Sequence, residues 1–585
     1  MIPSQVSFGN SGLSFSHSSL PREYPRRYLA ARIDLADWIQ LERVFDELEK
    51  RSIGSKEDFE KWLQDESEFY SALTEEYSVR YVHMTCQTDD AEREKAYLHF
   101  IENVEPKSKP RVFNLDRKFV DTPYRGQLPD WYHVLSRRRE NNVALFRSEN
   151  VELEKEDAKL GQEYEKVAGA RTVFYDGKER TLQQMAQYLE IVNRTIRRET
   201  WTLAEDRRLK DRETMDRLYS RLIALRDKIS KNAGFNNYRD YAFRRRERFE
   251  YSPADCFRFH EAVEEHIVPL IRELDRGRRN RMSLDTLRPW DLNVDPSGLP
   301  PLIPFRTMTE LMQRCGEVFD HVDSDFGKNF RRMVELGLID PESRRGKAPG
   351  AYCAELPEVR LPFMFLNLVG RDDDVRTVLH ESGHAFHTFA TRDLEPHAHY
   401  RGENAPMEFA EVASMSMELL GGEHIEGTFY SHEDAARSKT EHLESIVRLL
   451  AWIATIDAFQ HWVYTNPDHT REEREEFWLK LRQRFGGGEN WDGYDNTQRT
   501  YLQRQGHLFT APFYYIEYGI AQLGALGIWT QYRKDQHDGI EAYKRALALG
   551  GSKPLPELFK AADLPFDFGP GIVQTYAREL RTELM

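Results

Sequence analysis

One short segment constrains this 585-residue chain more than any other: His380-Glu381-Ser382-Gly383-His384. In an α-helix, residues four apart lie on one face, so His380 and His384 can direct two imidazoles at one point, with Glu381 beside it. The flanking Val375, Thr377, Val378 and Leu379, followed by Ala385, Phe386 and Phe389, give the segment the apolar setting of a buried helix. Burying two imidazoles is costly unless something binds them. The segment therefore reads as two metal ligands and a neighbouring base. Its bland alternative is a pair of core histidines satisfied by hydrogen bonds.

A catalytic metal site needs a third protein ligand and an open position. His387 stands where a longer histidine motif would require glycine, which excludes that class. Downstream, Glu403 sits in Arg-Gly-Glu-Asn-Ala-Pro and reads as a loop residue, whereas Glu408 and Glu411 fall on a helix opened by Pro406. Glu411 is preferred, because the run Phe409 to Ser414 continues to Glu418, two turns on along the same face. A carboxylate there can orient a ligand from behind.

The rest of the chain reads as mainly helical. Trp38, Leu41, Phe45 and Leu48 share a helix face, and Ser55 with Asp58 resembles a capping box before Phe59, Trp62, Leu63, Phe69 and Leu73. Asp176-Gly177 inside Arg171–Leu182 predicts a tight hairpin, after which Thr181 and Gln184 cap a long helical stretch ending at Gly234. Pro289 to Pro304 must be an extended connection. Val359 to Asn367 has strand character, and Pro362 predicts an edge strand. A boundary near residue 190 separates an amino-terminal helical lobe, 1–190, from a catalytic body, 191–585.

Composition narrows the function. The formal charge of −15 disfavours nucleic acid or an anionic membrane as partner. No stretch has the apolar length of a bilayer span, and the first residues lack the apolar core of a secretory signal, so a cytoplasmic location is expected. Cys86, Cys256, Cys315 and Cys353 show no paired spacing, which predicts buried inert thiols and neither a disulfide framework nor a cysteine metal site. Gly486-Gly487-Gly488 lacks the lysine of a phosphate loop and reads as a flexible loop.

The His-Glu-x-Gly-His-x-x-His segment at His380–His387, with Glu411-x-x-Ser414, resembles the thimet oligopeptidase and oligoendopeptidase F family of zinc peptidases. Leu287-Arg-Pro-Trp-Asp291 and Gly350-Ala-Tyr-Cys-Ala354 are further family-like landmarks. The resemblance runs from about residue 190 to the carboxyl terminus and is nearer the oligoendopeptidase F branch. It implies a large helical ellipsoid of two lobes around a deep channel, a small sheet or hairpin near the site, one zinc ion per chain on His380, His384 and Glu411, and short unfolded peptides as substrates. In the segment His507 to Gly519 it also implies that His507, Tyr515 and Tyr518 face the reaction, with Tyr514 as an alternative in a shifted register. Without the resemblance, that stretch reads as an aromatic core helix.

Phe363 and Phe365 on the expected edge strand, with Gly350 and Tyr352, are expected to line the substrate, whose main chain would pair with the strand. Endopeptidase action on internal bonds is the leading reading. A dipeptidyl carboxypeptidase and a non-catalytic peptide-binding scaffold are the alternatives, the latter giving Glu381 no role.

Overall fold

The computed structural model describes residues 16–344, 346–348 and 350–585. Helices dominate it, as the sequence predicts. Helix α1 (Trp38–Lys50) starts at Asp37, whose side chain accepts the Ile39 N–H, and buries Leu41, Phe45 and Leu48. Helix α2 (Lys56–Cys86) starts at Ser55, whose hydroxyl accepts the Asp58 N–H at 3.1 Å. The reciprocal arm of the expected capping box ends one residue early, because the Asp58 carboxylate accepts the Gly54 N–H at 3.1 Å.

The hairpin forms as expected: β1 (Thr172–Tyr175) pairs antiparallel with β2 (Lys178–Thr181), and Asp176 and Gly177 supply φ of 51° and 72°. Thr181 and Gln184 then make a reciprocal capping box, but helix α3 (Leu182–Ala186) is short. The expected long helical stretch is divided, since Asn193 accepts two backbone N–H groups and starts α4 (Arg194–Leu209), with α5 (Arg212–Asn232) following. Gly234 ends the run at φ 87°. Helix α6 (Pro253–Ala262) comes next.

Strands β3 (Ile339–Glu342), β4 (Tyr352–Leu356) and β5 (Leu361–Leu368) form a sheet in the order β3-β5-β4, parallel on one side and antiparallel on the other. This corrects the edge-strand expectation, because β5 is central. Pro362 is tolerated there for a local reason. Met364 sends its N–H toward β3, to Leu338 O at 2.8 Å, and Pro362 faces the same side two residues earlier, ahead of the point where β3 begins. The edge strands beside β5 are β3 and β4.

Beyond the sheet run α7 (Asp372–Thr391), α8 (Met407–Gly422), α9 (His432–Thr465), α10 (Gly506–Thr510) and α11 (Tyr515–Lys534). The chain forms two compact units, neither continuous in sequence: unit 1 takes residues up to Phe146, Ile303–Ala436 and Gly524–Phe566, and unit 2 takes Arg147–Leu302, Arg437–Leu523 and Asp567–Met585. Each draws residues from both sides of position 190. In unit 1, a core of Leu41, Phe45, Phe59, Trp62, Phe69 and Phe119 also takes in Tyr400. In unit 2, the triple-glycine run is pinned, with the Gly488 N–H donating to Asp275 Oδ2 at 2.7 Å. A Cβ on Gly487 would lie 2.3 Å from that same carboxylate oxygen, which explains why the residue is glycine.

Candidate active site

Unit 1 builds its site on α7 and α8. The amino end of α7 is tied down by Asp374, whose Oδ2 accepts the N–H groups of Val369, Gly370 and Arg371 at 2.7, 2.6 and 2.9 Å. The two helices approach so closely at Gly383 that a Cβ there would sit 2.4 Å from Ala413 O. The glycine within the histidine segment is therefore a packing requirement that lets α8 present Glu411 to α7.

His380 Nε2 lies 3.6 Å and His384 Nε2 3.7 Å from Glu411 Oε2. The donor atoms of these three residues all fall within 4.8 Å of one another. Such separations are too long for hydrogen bonds but suit a shared ion, since tetrahedral ligands at metal-bond lengths near 2.0–2.1 Å stand about 3.3 Å apart. His380 Nδ1 is engaged by Glu418 Oε1 at 2.7 Å, which leaves Nε2 to face Glu411. Ser414 adds a restraint that the sequence reading left unassigned, its hydroxyl donating to Glu411 Oε2 at 3.0 Å. The donor set thus fits a borderline cation.

Glu381 is 6 % exposed, and its Oε2 is buried with no hydrogen-bond partner. Burial, reinforced by the Glu411 and Glu418 charges against the opposing pull of His380, raises its carboxyl to about 7. Burial lowers His384 to about 4. At His380 burial acts the same way, but the Glu418 hydrogen bond and the surrounding carboxylates outweigh it and raise the ring to about 10. A pocket with this much negative charge around two imidazoles favours a cation between them.

Glu403, one alternative ligand, is paired with Arg401, which also holds Glu355. Glu355 in turn accepts from Thr388 on α7 at 3.0 Å. Phe363 and Phe365 are 0 % exposed core side chains, which corrects the expectation that they face a peptide. Tyr352 stacks on Phe365 with ring centroids 4.7 Å apart and bonds Thr85 Oγ1 at 2.6 Å. Gly350 is exposed, at φ 95°.

In unit 2, His507 on α10 and Tyr514, Tyr515 and Tyr518 at the start of α11 form one half-buried cluster. Ring centroids lie 5.1 Å apart for His507–Tyr515, 5.9 Å for His507–Tyr518 and 5.4 Å for Tyr515–Tyr518. Gln505 Nε2 meets His507 Nδ1 at 2.7 Å and is itself held by Trp452 at 2.9 Å. Burial raises Tyr515 to about 12, so it is a protonated donor. Phe513 precedes the cluster at φ 63°, a strained angle for a buried aromatic, and its N–H is held by Gln460 at 2.6 Å. Trp452, Gln505 and Phe513 carried no signal in the sequence, because their roles depend on long-range partners.

Comparison with known proteins agrees with this architecture. Residues 187–572 match the family profile of Peptidase family M3, and residues 31–146 match the Peptidase M3 N-terminal domain. The chain belongs to peptidase family M3. It is 24 % identical to an oligoendopeptidase F homolog of Borreliella burgdorferi over 315 residues, covering 51 % of this chain and 50 % of that protein. It is 27 % identical to the chromosomal oligoendopeptidase F of Lactococcus lactis subsp. cremoris over 160 residues, covering 27 % and 25 % respectively. The chain thus spans about half the length, or less, of these curated relatives. Among solved structures, PZ peptidase A with an inhibitor superposes with a TM-score of 0.87 at 28 % identity, covering 96 % of this chain and 98 % of that one. A Bacillus anthracis str. Ames protein assigned as oligoendopeptidase F gives 0.84 at 25 % identity, covering 97 % and 98 %. Among the described residues, no helix is long and apolar enough to cross a membrane.

Proposed function

We propose that the protein is a zinc-dependent oligoendopeptidase that hydrolyses internal bonds of short, unfolded peptides. The observation that carries this reading is the meeting of three donors, His380, His384 and Glu411, beside the buried carboxylate of Glu381, whose Oε2 has no hydrogen-bond partner. A zinc ion held by those three residues would polarise the scissile carbonyl and acidify a water. Glu381 then serves as general base, taking the water's proton at its unpartnered oxygen and returning it to the leaving amine nitrogen. Glu418 and Ser414 keep the ligand atoms aimed. Tyr515, Tyr518 and His507 are proposed as hydrogen-bond donors to the developing oxyanion, a role supported by their half-exposed clustering and the family resemblance. The substrate main chain is assigned to β4, the one of the two edge strands whose Cys353 feels the Glu381 charge.

The test is cleavage of an internally quenched peptide of about ten residues, blocked at its carboxyl end, with products identified by mass. Internal cuts that vanish with chelator and in Glu381→Gln support the reading. Cleavage confined to unblocked peptides, releasing carboxyl-terminal dipeptides, replaces it with a dipeptidyl carboxypeptidase.

A further inference from the structure

A second group of metal-binding side chains lies wholly within unit 2, in its core. Helix α6 carries Cys256 and His260 four residues apart, and α9 carries Asp457 and His461 four residues apart, so each helix turns one face of two chemically active side chains toward the other. All four are buried, with exposures of 0 %, 2 %, 0 % and 3 % in that order. The donor atoms of Cys256, Asp457 and His461 lie within 4.8 Å of one another.

The hydrogen bonding of this group is incomplete in a telling way. Asp457 Oδ2 meets His260 Nε2 at 2.9 Å, but its Oδ1 has no partner. His461 Nε2 is 3.2 Å from Asp457 Oδ2 without the alignment of a hydrogen bond, and neither of its ring nitrogens is satisfied. Buried polar atoms are nearly always hydrogen-bonded, so three unpaired ones in one cluster call for a missing partner. The rings of Phe243, Phe257 and Phe513 stand 5.8, 4.8 and 5.4 Å from that of His461 and wall the cluster with carbon. Arg248, whose charge reaches the thiol, is paired with Glu517 at 2.9 Å.

We infer that Cys256, Asp457 and His461 form a second, structural zinc site, with His260 orienting the Asp457 carboxylate from behind. One sulfur, one imidazole nitrogen and one carboxylate oxygen make a borderline-soft donor set suited to zinc. A thiolate and a carboxylate balance the two charges of the ion, so the filled site is neutral inside an apolar wall. Cys256 gives up its thiol proton to solvent when the ion enters. These three donors leave the fourth position of the zinc tetrahedron to a water, and the role of the ion is to fix α6 to α9. This inference does not depend on the proposed activity. Such a site leaves no sign in the sequence, because the pairing is across helices and invisible as spacing.

The experiment measures metal content and spectrum on full-length protein produced in zinc- or cobalt-supplemented medium. For the His380→Ala/His384→Ala variant, which lacks the first site, one zinc per chain is expected to remain, and that ion should be lost when Cys256→Ser is added. The cobalt protein should show a near-ultraviolet thiolate-to-cobalt absorption that survives His380→Ala/His384→Ala, since only the second donor set contains sulfur. No zinc in His380→Ala/His384→Ala together with no thiolate band in the cobalt wild type would overturn the inference and leave water as the missing partner. Where Cys256→Ser fails to fold, the cobalt spectrum of the otherwise wild-type chain decides.

Discussion

Glu381 and Glu418 sit within a few ångströms of the same histidine, yet they should fail differently when altered. Removing a general base typically lowers turnover by about 10²–10⁴-fold. Glu381→Gln should therefore lose activity on that scale while its zinc content stays at the wild-type value, and metal loss in this variant would show that the residue is a ligand. Glu418→Ala removes the acceptor on His380 Nδ1, 2.7 Å away, and should weaken zinc binding about 10–100-fold in chelator competition. An unchanged affinity would reduce Glu418 to a surface partner.

Lys347 gives a residue-scale effect on stability. Its ammonium is buried against Asp340 Oδ1 at 2.9 Å, donates to Asp340 O and Glu342 O at 3.0 and 2.8 Å, and is lowered to about 8 chiefly by burial. Because the folded value lies below the ordinary 10.5, the unfolded chain holds the proton over that interval and native stability rises with pH across it. Lys347→Met carries no such pH dependence. The difference in melting temperature between the two proteins should move in favour of wild type between pH 7 and pH 10, and a constant difference would refute the assignment.

At the scale of elements, the α7–α8 contact sets the site. Gly383→Ala would gain up to about 1 kcal/mol of helix propensity. Against this stands a Cβ 2.4 Å from Ala413 O, a backbone atom that no rotamer change can move, and overpacking of this kind costs about 1–3 kcal/mol. The clash should win: melting temperature falls, and because the helices must separate, zinc affinity falls with it. A melting temperature equal to or above wild type would mean that the helices yield freely. The same elements show what local sequence can reveal. The helix bearing His380 and His384, the Ser55 cap and the Asp176-Gly177 turn were legible because each is decided within a few residues. The central position of β5 was not, since whether Pro362 loses a ladder bond depends on where β3 starts. Phe363 and Phe365 were misplaced for the same reason, as a strand's buried faces are set by what covers them.

For the whole molecule, the interleaving of its compact units bears on how the chain folds. A boundary at residue 190 was drawn from local patterns, but unit 1 completes its amino-terminal core only with residues far along the chain. Tyr400 packs among Phe45, Phe69 and Phe119, Ser67 Oγ accepts the Ala398 N–H at 2.9 Å, and Thr85 bonds Tyr352. The buried Glu66 pairs with Arg139 at 2.7 Å, and His399 closes that group at 3.4 Å. A fragment ending at residue 190 leaves these apolar and charged surfaces uncovered, and breaking into a buried charged network costs about 3–5 kcal/mol, a large share of any domain's net stability. Expressed alone, fragment 1–190 should melt without a cooperative transition and be cut rapidly by protease. Mixing it with fragment 191–585 during refolding should restore both cooperativity and resistance. A sharp melt of 1–190 by itself would show that the contacts with residues 352–400 add to a lobe that already stands, and that the boundary near 190 separates independent folding units.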